Sequence, residues 1–213
     1  MVAAGVLISG AGTNLRAILA CIAAGELDCT VRIVVSNRPT AAGLTHAEAA
    51  GVPTRVLEHG RFATRDDFDR AVIDVLCEAG VELVVLAGFD RLISPRFVAA
   101  FPSRIMNIHP GLLPAFKGLH AQRDALEYGV KLAGATVHFV DEETDHGPII
   151  VQGAVPVSSD DTEETLRGRI LAVEHAIYPA AIQLYAEGRL AIEGRRVRVL
   201  GRPPPLPPAL VHC

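Results

Sequence analysis

The chain has no run approaching the ~18 apolar residues of a membrane span, no basic opening stretch, and no Cys-x-x-Cys pair among its four cysteines. The first absence argues against a transmembrane helix, and the second argues against reading Met1-Val-Ala-Ala-Gly as a secretory signal. The third leaves Cys21, Cys29, Cys77 and Cys213 outside the usual metal or redox spacings, as free thiols of a reducing compartment. A soluble, cytoplasmic protein is expected. An excess of positive charge is also missing. With a net charge of −4 and a pI near 6.1, neither nucleic acid nor an anionic membrane is attracted globally, so basic residues read as local anion contacts. The eight histidines show no His-x-x-x-His spacing, and no metal is expected.

Half of the 213 residues are apolar, enough to bury one core in a chain of this length. Short β-branched runs at 6–9, 31–36, 54–57 and 82–87 alternate with amphipathic segments at 14–24, 41–50 and 65–79. That alternation predicts an α/β fold: a Rossmann-like, open, mostly parallel sheet with helices on both faces. The nearly all-apolar 83–87 predicts a central strand covered on both sides.

Beyond His109 the pattern changes to a loop rich in proline and glycine, a helix near 120–128, and strands at 135–140 and 149–157. These strands flank a 141–148 loop that carries Asp145. Asp161 is the expected cap of the next helix, with acids in its first turn favouring the dipole. That helix is expected to end or bend before Pro179 and resume to Gly188. Residues 190–192 and 197–200 read as a C-terminal β-hairpin. One domain over 1–201 is expected, followed by a mobile tail at 202–213 carrying five prolines.

Two segments carry chemistry. In Arg104-Ile-Met-Asn107-Ile-His109-Pro110, Asn107 and His109 stand two apart at a strand end and share one face, and Pro110 ends the strand. The later Asp145-His146-Gly147-Pro148 supplies a carboxylate. A carboxamide donor beside an imidazole, with a carboxylate to orient and charge that ring, is what acyl transfer needs. A buried Asn and His at a strand-to-turn exit give the same short pattern. His146 fits no motif role and reads as a surface residue.

Ser9-Gly10-Ala11-Gly12-Thr13-Asn14 follows the first strand and opens the first helix, where free backbone N–H groups favour a phosphate. Gly10 and Gly12 would let backbone approach it closely, although a plain tight turn also fits. Leu15 occupies the place of the third glycine in G-x-G-x-x-G, so the segment is not a dinucleotide fingerprint.

Asn107-Ile-His109-Pro110-Gly-Leu-Leu-Pro114, Gly118-Leu-His120-Ala-Gln-Arg123, Thr136-Val-His138-Phe139-Val140 and Asp145-x-Gly-Pro, in that order, resemble the folate-dependent formyltransferases. Within that family, Ile8-Ser9-Gly10-Ala11-Gly12-Thr13-Asn14-Leu15 and Glu174-His175-Ala176-Ile177-Tyr178-Pro179 are similar to the branch whose acceptor is glycinamide ribonucleotide. The resemblance implies transfer of a formyl group from 10-formyltetrahydrofolate to that ribonucleotide's amine, giving formylglycinamide ribonucleotide in de novo purine synthesis. These two small molecules are the implied partners of a monomer or homodimer.

By the same resemblance, Asn107, His109 and Asp145 are catalytic. Gly12, Thr13, Asn14 and Glu174 bind the ribonucleotide, and Arg65, Asp90, Arg91, Leu92, Ile93 and Asn107 bind the folate. His138 supports Asp145 or a water. Taken alone, Arg65 also fits a solvated helix-start arginine, and His138 a satisfied strand histidine.

Two positions depart from the family. Asp90 stands where an apolar residue, usually Met, is familiar, and its charge needs solvent or a donor such as the pterin amino group. Gly111 replaces a frequent serine and is expected to loosen the following loop. Other folate-dependent formyltransferases, and formyltetrahydrofolate hydrolase, share the Asn, His and Asp chemistry. A non-catalytic nucleotide-binding α/β domain would leave those three side chains without a role.

Overall fold

The computed structural model describes residues 1–201; the proline-rich segment at 202–213 lies outside the described residues. The chain divides into two compact units, residues 1–107 and the residues from Ile108 onward.

In the first unit strands and helices alternate: β1 (Val2–Ile8), α1 (Thr13–Ala23), β2 (Cys29–Ser36), α2 (Gly43–Ala49), β3 (Thr54–Val56), α3 (Arg65–Glu78), β4 (Leu83–Leu86) and α4 (Pro95–Ala100). β5 (Ile105–His109) then carries the chain into the second unit. The pairings β1–β2, β2–β3, β1–β4 and β4–β5 are all parallel. Val6, Leu7, Ile8, Leu83, Val84 and Val85 have no solvent exposure, as side chains on both faces of central parallel strands should.

From β1 the chain steps to β2 and β3, then returns to β4 on the other side of β1. Strand order therefore reverses between β1 and β4, and the loops leaving their carboxyl ends frame the crevice where such sheets take ligands. The Ser9 amide donates to the Gly88 carbonyl at 3.0 Å, joining those two ends.

The α4 turn was not anticipated, although Ser94-Pro95 is a helix-start pair. The Ser94 side chain caps the helix by accepting from the Phe97 amide, with Pro95 in the first turn.

In the second unit come α5 (Ala121–Tyr128), β6 (Leu132–Phe139), β7 (Ile149–Pro156), α6 (Glu163–Ala186), β8 (Leu190–Glu193) and β9 (Arg196–Val199). β6–β7 and β8–β9 are antiparallel, whereas β7 meets β9 in parallel at Ile149 and Arg196. The result is an α/β fold with mostly parallel strands and the expected terminal hairpin.

Two expectations about α6 are corrected. The helix runs unbroken through Pro179. A proline in a helix interior costs about 3 kcal/mol, but Ile170, Val173, Ile177, Tyr178, Ala181 and Ile182 are buried along this helix. Full burial of a large apolar side chain contributes roughly 1.5–3 kcal/mol, so together they outweigh the proline.

The cap is Thr162 rather than Asp161. Thr162 Oγ1 accepts from the Thr165 amide at 3.2 Å, and Thr165 Oγ1 accepts from the Thr162 amide at 3.0 Å. Asp161 instead accepts from the Ser158 amide and pairs with Arg169. The Arg169 hydrogen bond foremost, then the Ser158 amide, hold its carboxyl well below the usual carboxylate range. Thr162→Ala should therefore cost about 1 kcal/mol of unfolding free energy in urea. An unchanged midpoint would show that Asp161 and the first-turn acids suffice.

Candidate active site

The first unit's predicted residues lie at or near the carboxyl ends of its strands. Gly12 precedes α1 with φ +69°, and a Cβ there would stand 2.4 Å from the Gly43 Cα. Its lack of a side chain thus serves the approach of α1 to α2, whereas a Cβ on Gly10 would meet nothing within 4 Å. Asn14 is buried and Thr13 half-buried. Arg65 is exposed at the start of α3. Arg91 and Leu92 are also exposed, and Ile93 is half-buried.

Asp90 finds its donors within its own chain rather than waiting for a ligand. Its carboxylate accepts from Asn37 Nδ2 at 2.9 Å and is ion-paired with Arg38, while its amide donates to Ser9 Oγ at 2.9 Å. Ser9 Oγ in turn donates to Asn37 Oδ1 at 2.7 Å. Burial pushes the Asp90 carboxyl up, but the Asn37 hydrogen bond and the Arg38 charge outweigh it and leave the group below its ordinary value. Neither Asn37 nor Arg38 was singled out from sequence; the uncompensated charge at 90 was the available signal that a partner existed.

The second unit brings together His109, Asp145 and His138. His109 Nε2 lies 2.8 Å from the Phe116 carbonyl, and since a carbonyl can only accept, that nitrogen carries a proton. His109 Nδ1 faces Asp145 Oδ2 at 3.4 Å. Both ring nitrogens thus meet oxygen acceptors.

The Gly118 amide donates to Asp145 Oδ2 at 2.8 Å. The Asp145 backbone itself is left-handed, with φ +47°, a conformation that non-glycine residues keep only when neighbours enforce it.

His138 Nδ1 donates to the Phe139 carbonyl at 2.8 Å, and Nε2 lies 3.9 Å from Asp145 Oδ1, too far for a direct hydrogen bond. Burial foremost lowers the His138 pKa against the pull of Phe139 and Asp145. The ring is therefore neutral near pH 7, a polar wall beside the carboxylate.

Asn107 precedes His109 by two residues in β5 and is half-buried. Glu174 is buried on α6. Among the described residues, no group of three or more His, Cys, Asp or Glu is placed to hold a metal ion. No described helix is long and apolar enough to cross a membrane.

The loop after His109, where Gly111 was expected to loosen the chain, is tied by side-chain hydrogen bonds. Thr136 Oγ1 donates to the Gly111 carbonyl at 2.6 Å and accepts from the Leu113 amide at 3.1 Å, and Gln152 Nε2 donates to the Leu113 carbonyl at 2.9 Å. A Cβ at position 111 would come within 2.9 Å of His109 Nε2 and 3.3 Å of the Ala121 Cβ. Gly111 makes room for the ring.

Gly111→Ser should displace the His109 imidazole, read as shifted ring ¹H–¹⁵N resonances; unmoved resonances would show that the ring tolerates the added atom. A carboxyl with a lowered folded pKa contributes its stability above the unfolded value and loses it as pH falls through the folded one. The urea midpoint of Asp90→Asn should thus lie below wild type at pH 7, with the gap narrowing below pH ~4. A gap constant with pH would mean the charge at 90 is immaterial.

Residues 3–182 match the family described as Formyl transferase. Phosphoribosylglycinamide formyltransferase of Escherichia coli (strain K12) is 45% identical over 185 residues, covering 87% of this chain and 87% of that protein. The trifunctional purine biosynthetic protein adenosine-3 of Gallus gallus is 49% identical over 187 residues, 88% of this chain, and the chain spans 19% of that longer protein. Among solved structures, glycinamide ribonucleotide transformylase 1 from Symbiobacterium toebii matches with a TM-score of 0.93 and 56% identity, covering 94% of this chain and 95% of that one.

Proposed function

The chain belongs to the formyl transferase family, and from that premise we propose that it transfers a formyl group from 10-formyltetrahydrofolate to glycinamide ribonucleotide, giving formylglycinamide ribonucleotide in purine synthesis. The observation that carries this reading is the Asp145 carboxylate, held by the Gly118 amide and facing the His109 ring, with Asn107 two residues earlier in the same strand. Residues 1–201 act on this reading as one formyltransferase domain.

The acceptor amine attacks the formyl carbon, a C–N bond forms, and negative charge collects on the formyl oxygen. Asn107 donates its carboxamide N–H to that oxygen, a contact worth roughly 3–4 kcal/mol in comparable sites. His109 exchanges the Phe116 carbonyl for the substrate and donates a second hydrogen bond, with Asp145 balancing the charge of the ring. As the bond to the folate nitrogen breaks, the amine loses a proton and the leaving nitrogen gains one, passed through His109 directly or by way of water. The amine is itself the nucleophile, so no metal is assigned a step.

For the substrates, Gly12, Thr13 and Asn14 take the phosphate and ribose side at the start of α1, and Glu174 accepts from ribose hydroxyls. Arg65 and the 90–93 segment take the folate together with Asn107. Because the Asp90 side chain is turned to Asn37 and Arg38, the pterin is read by backbone at that position rather than by the carboxylate.

Incubating the purified protein with both substrates should release tetrahydrofolate only when the ribonucleotide amine is present. Release without acceptor would favour a hydrolase, and ribonucleotide binding without release a non-catalytic nucleotide-binding domain. His109→Ala and Asp145→Asn should each lower kcat at least ~10²-fold while keeping ribonucleotide binding and thermal unfolding intact. Turnover near wild type in either variant would remove it from the catalytic set.

A further inference from the structure

Beside Asp145 lies a second cluster, His146 with Asp141 and Arg195: His146 is partly exposed, in keeping with its reading as a surface residue, and its ring has close partners. His146 Nδ1 lies 2.8 Å from Asp141 Oδ2, and Nε2 lies 2.8 Å from Arg195 Nη1. Arg195 Nη1 also lies 3.2 Å from Nδ1, so the guanidinium is set against the ring rather than in line with one nitrogen. Glu143 stands 3.9 Å from the same Nδ1. Arg195 Nη2 also donates to the His146 carbonyl at 2.5 Å, so one guanidinium grips both the ring and the backbone of a single residue, using the planar fork that lysine lacks.

The grip falls on the loop joining β6 and β7. At its base the Phe139 amide donates to the Pro148 carbonyl at 2.9 Å, and a Cβ on Gly147 would stand 1.9 Å from the Phe139 carbonyl. The base is closed by backbone alone. Asp145 sits just beyond it in a left-handed conformation, with φ +47°, and is bonded directly to the residue that Arg195 grips.

We infer that Arg195 is a positioning residue for formyl transfer: by clamping the ring and carbonyl of His146 from the turn between β8 and β9, it fixes the backbone that aims the Asp145 carboxylate at His109. This inference rests on the reaction proposed above. The clamp joins the turn between β8 and β9 to a loop some fifty positions earlier, and only the fold brings them together.

In the full chain, Arg195→Met should lower kcat roughly 10- to 10²-fold, the range expected when a catalytic group is displaced by about 1 Å, with KM for glycinamide ribonucleotide unchanged. Arg195→Lys, which keeps one donor for the His146 carbonyl, should recover part of the loss. In an Asp145→Asn background, Arg195→Met should have no further effect, because both changes remove the same contribution.

Wild-type kcat in Arg195→Met, or a loss of equal size in the Asp145→Asn background, would overturn the inference. A loss explained by a lower unfolding temperature and not relieved by lysine would also overturn it. Independently of turnover, the His109 ring resonances should shift in Arg195→Met as they do in Asp145→Asn. Unshifted resonances sink the inference, whereas a shift in Arg195→Met, found together with a wild-type protein that releases no tetrahydrofolate, upholds the clamp and sinks only the proposed reaction.

Discussion

The second unit is arranged around one carboxylate. Asp145 must face His109 from a loop, with its own backbone in a conformation that side chains disfavour. The surrounding features act on that requirement from separate directions. The Gly118 amide holds the carboxylate oxygen, the neutral His138 borders it, and Arg195 secures the next residue. Backbone strain of this kind costs on the order of 1–3 kcal/mol and survives only where neighbours over-determine it.

Both departures from the family pattern have local physical answers. The charge at Asp90 is met by Asn37 and Arg38, so it enters a network tying the ends of β1, β2 and β4 instead of standing as an unpaired buried ion. The glycine at 111 leaves space that the His109 ring occupies, while Thr136 and Gln152 secure the loop that glycine would otherwise free. Each substitution relative to the familiar pattern is thus coupled to side chains remote in the chain.

Most elements were legible from the sequence because hydrophobic periodicity is local: the strand pattern at 83–87 and the helical pattern at 65–79 correspond closely to β4 and α3. The continuous α6 was not, because whether Pro179 breaks a helix depends on how much apolar surface its neighbours bury. The cap was misassigned by one residue because Asp161, Thr162 and Thr165 are all competent caps, and only their mutual hydrogen bonds choose among them.

Asn107, His109 and Asp145 could be proposed from spacing and family resemblance, since the chemistry asked of them demands particular side chains and those are written in the chain. The glycine turn at 9–14 was legible too, although the use of Gly12 in packing against Gly43 was not. What the amino-acid order determined alone was the alternation of strand and helix and the candidate side chains for the proposed chemistry, both properties of short segments. What tertiary structure alone decided was which groups meet: Asp145 with His109, Asp90 with Arg38, and Arg195 with His146. Contacts between residues distant in sequence depend on how strands pair and loops close, and no local pattern records that.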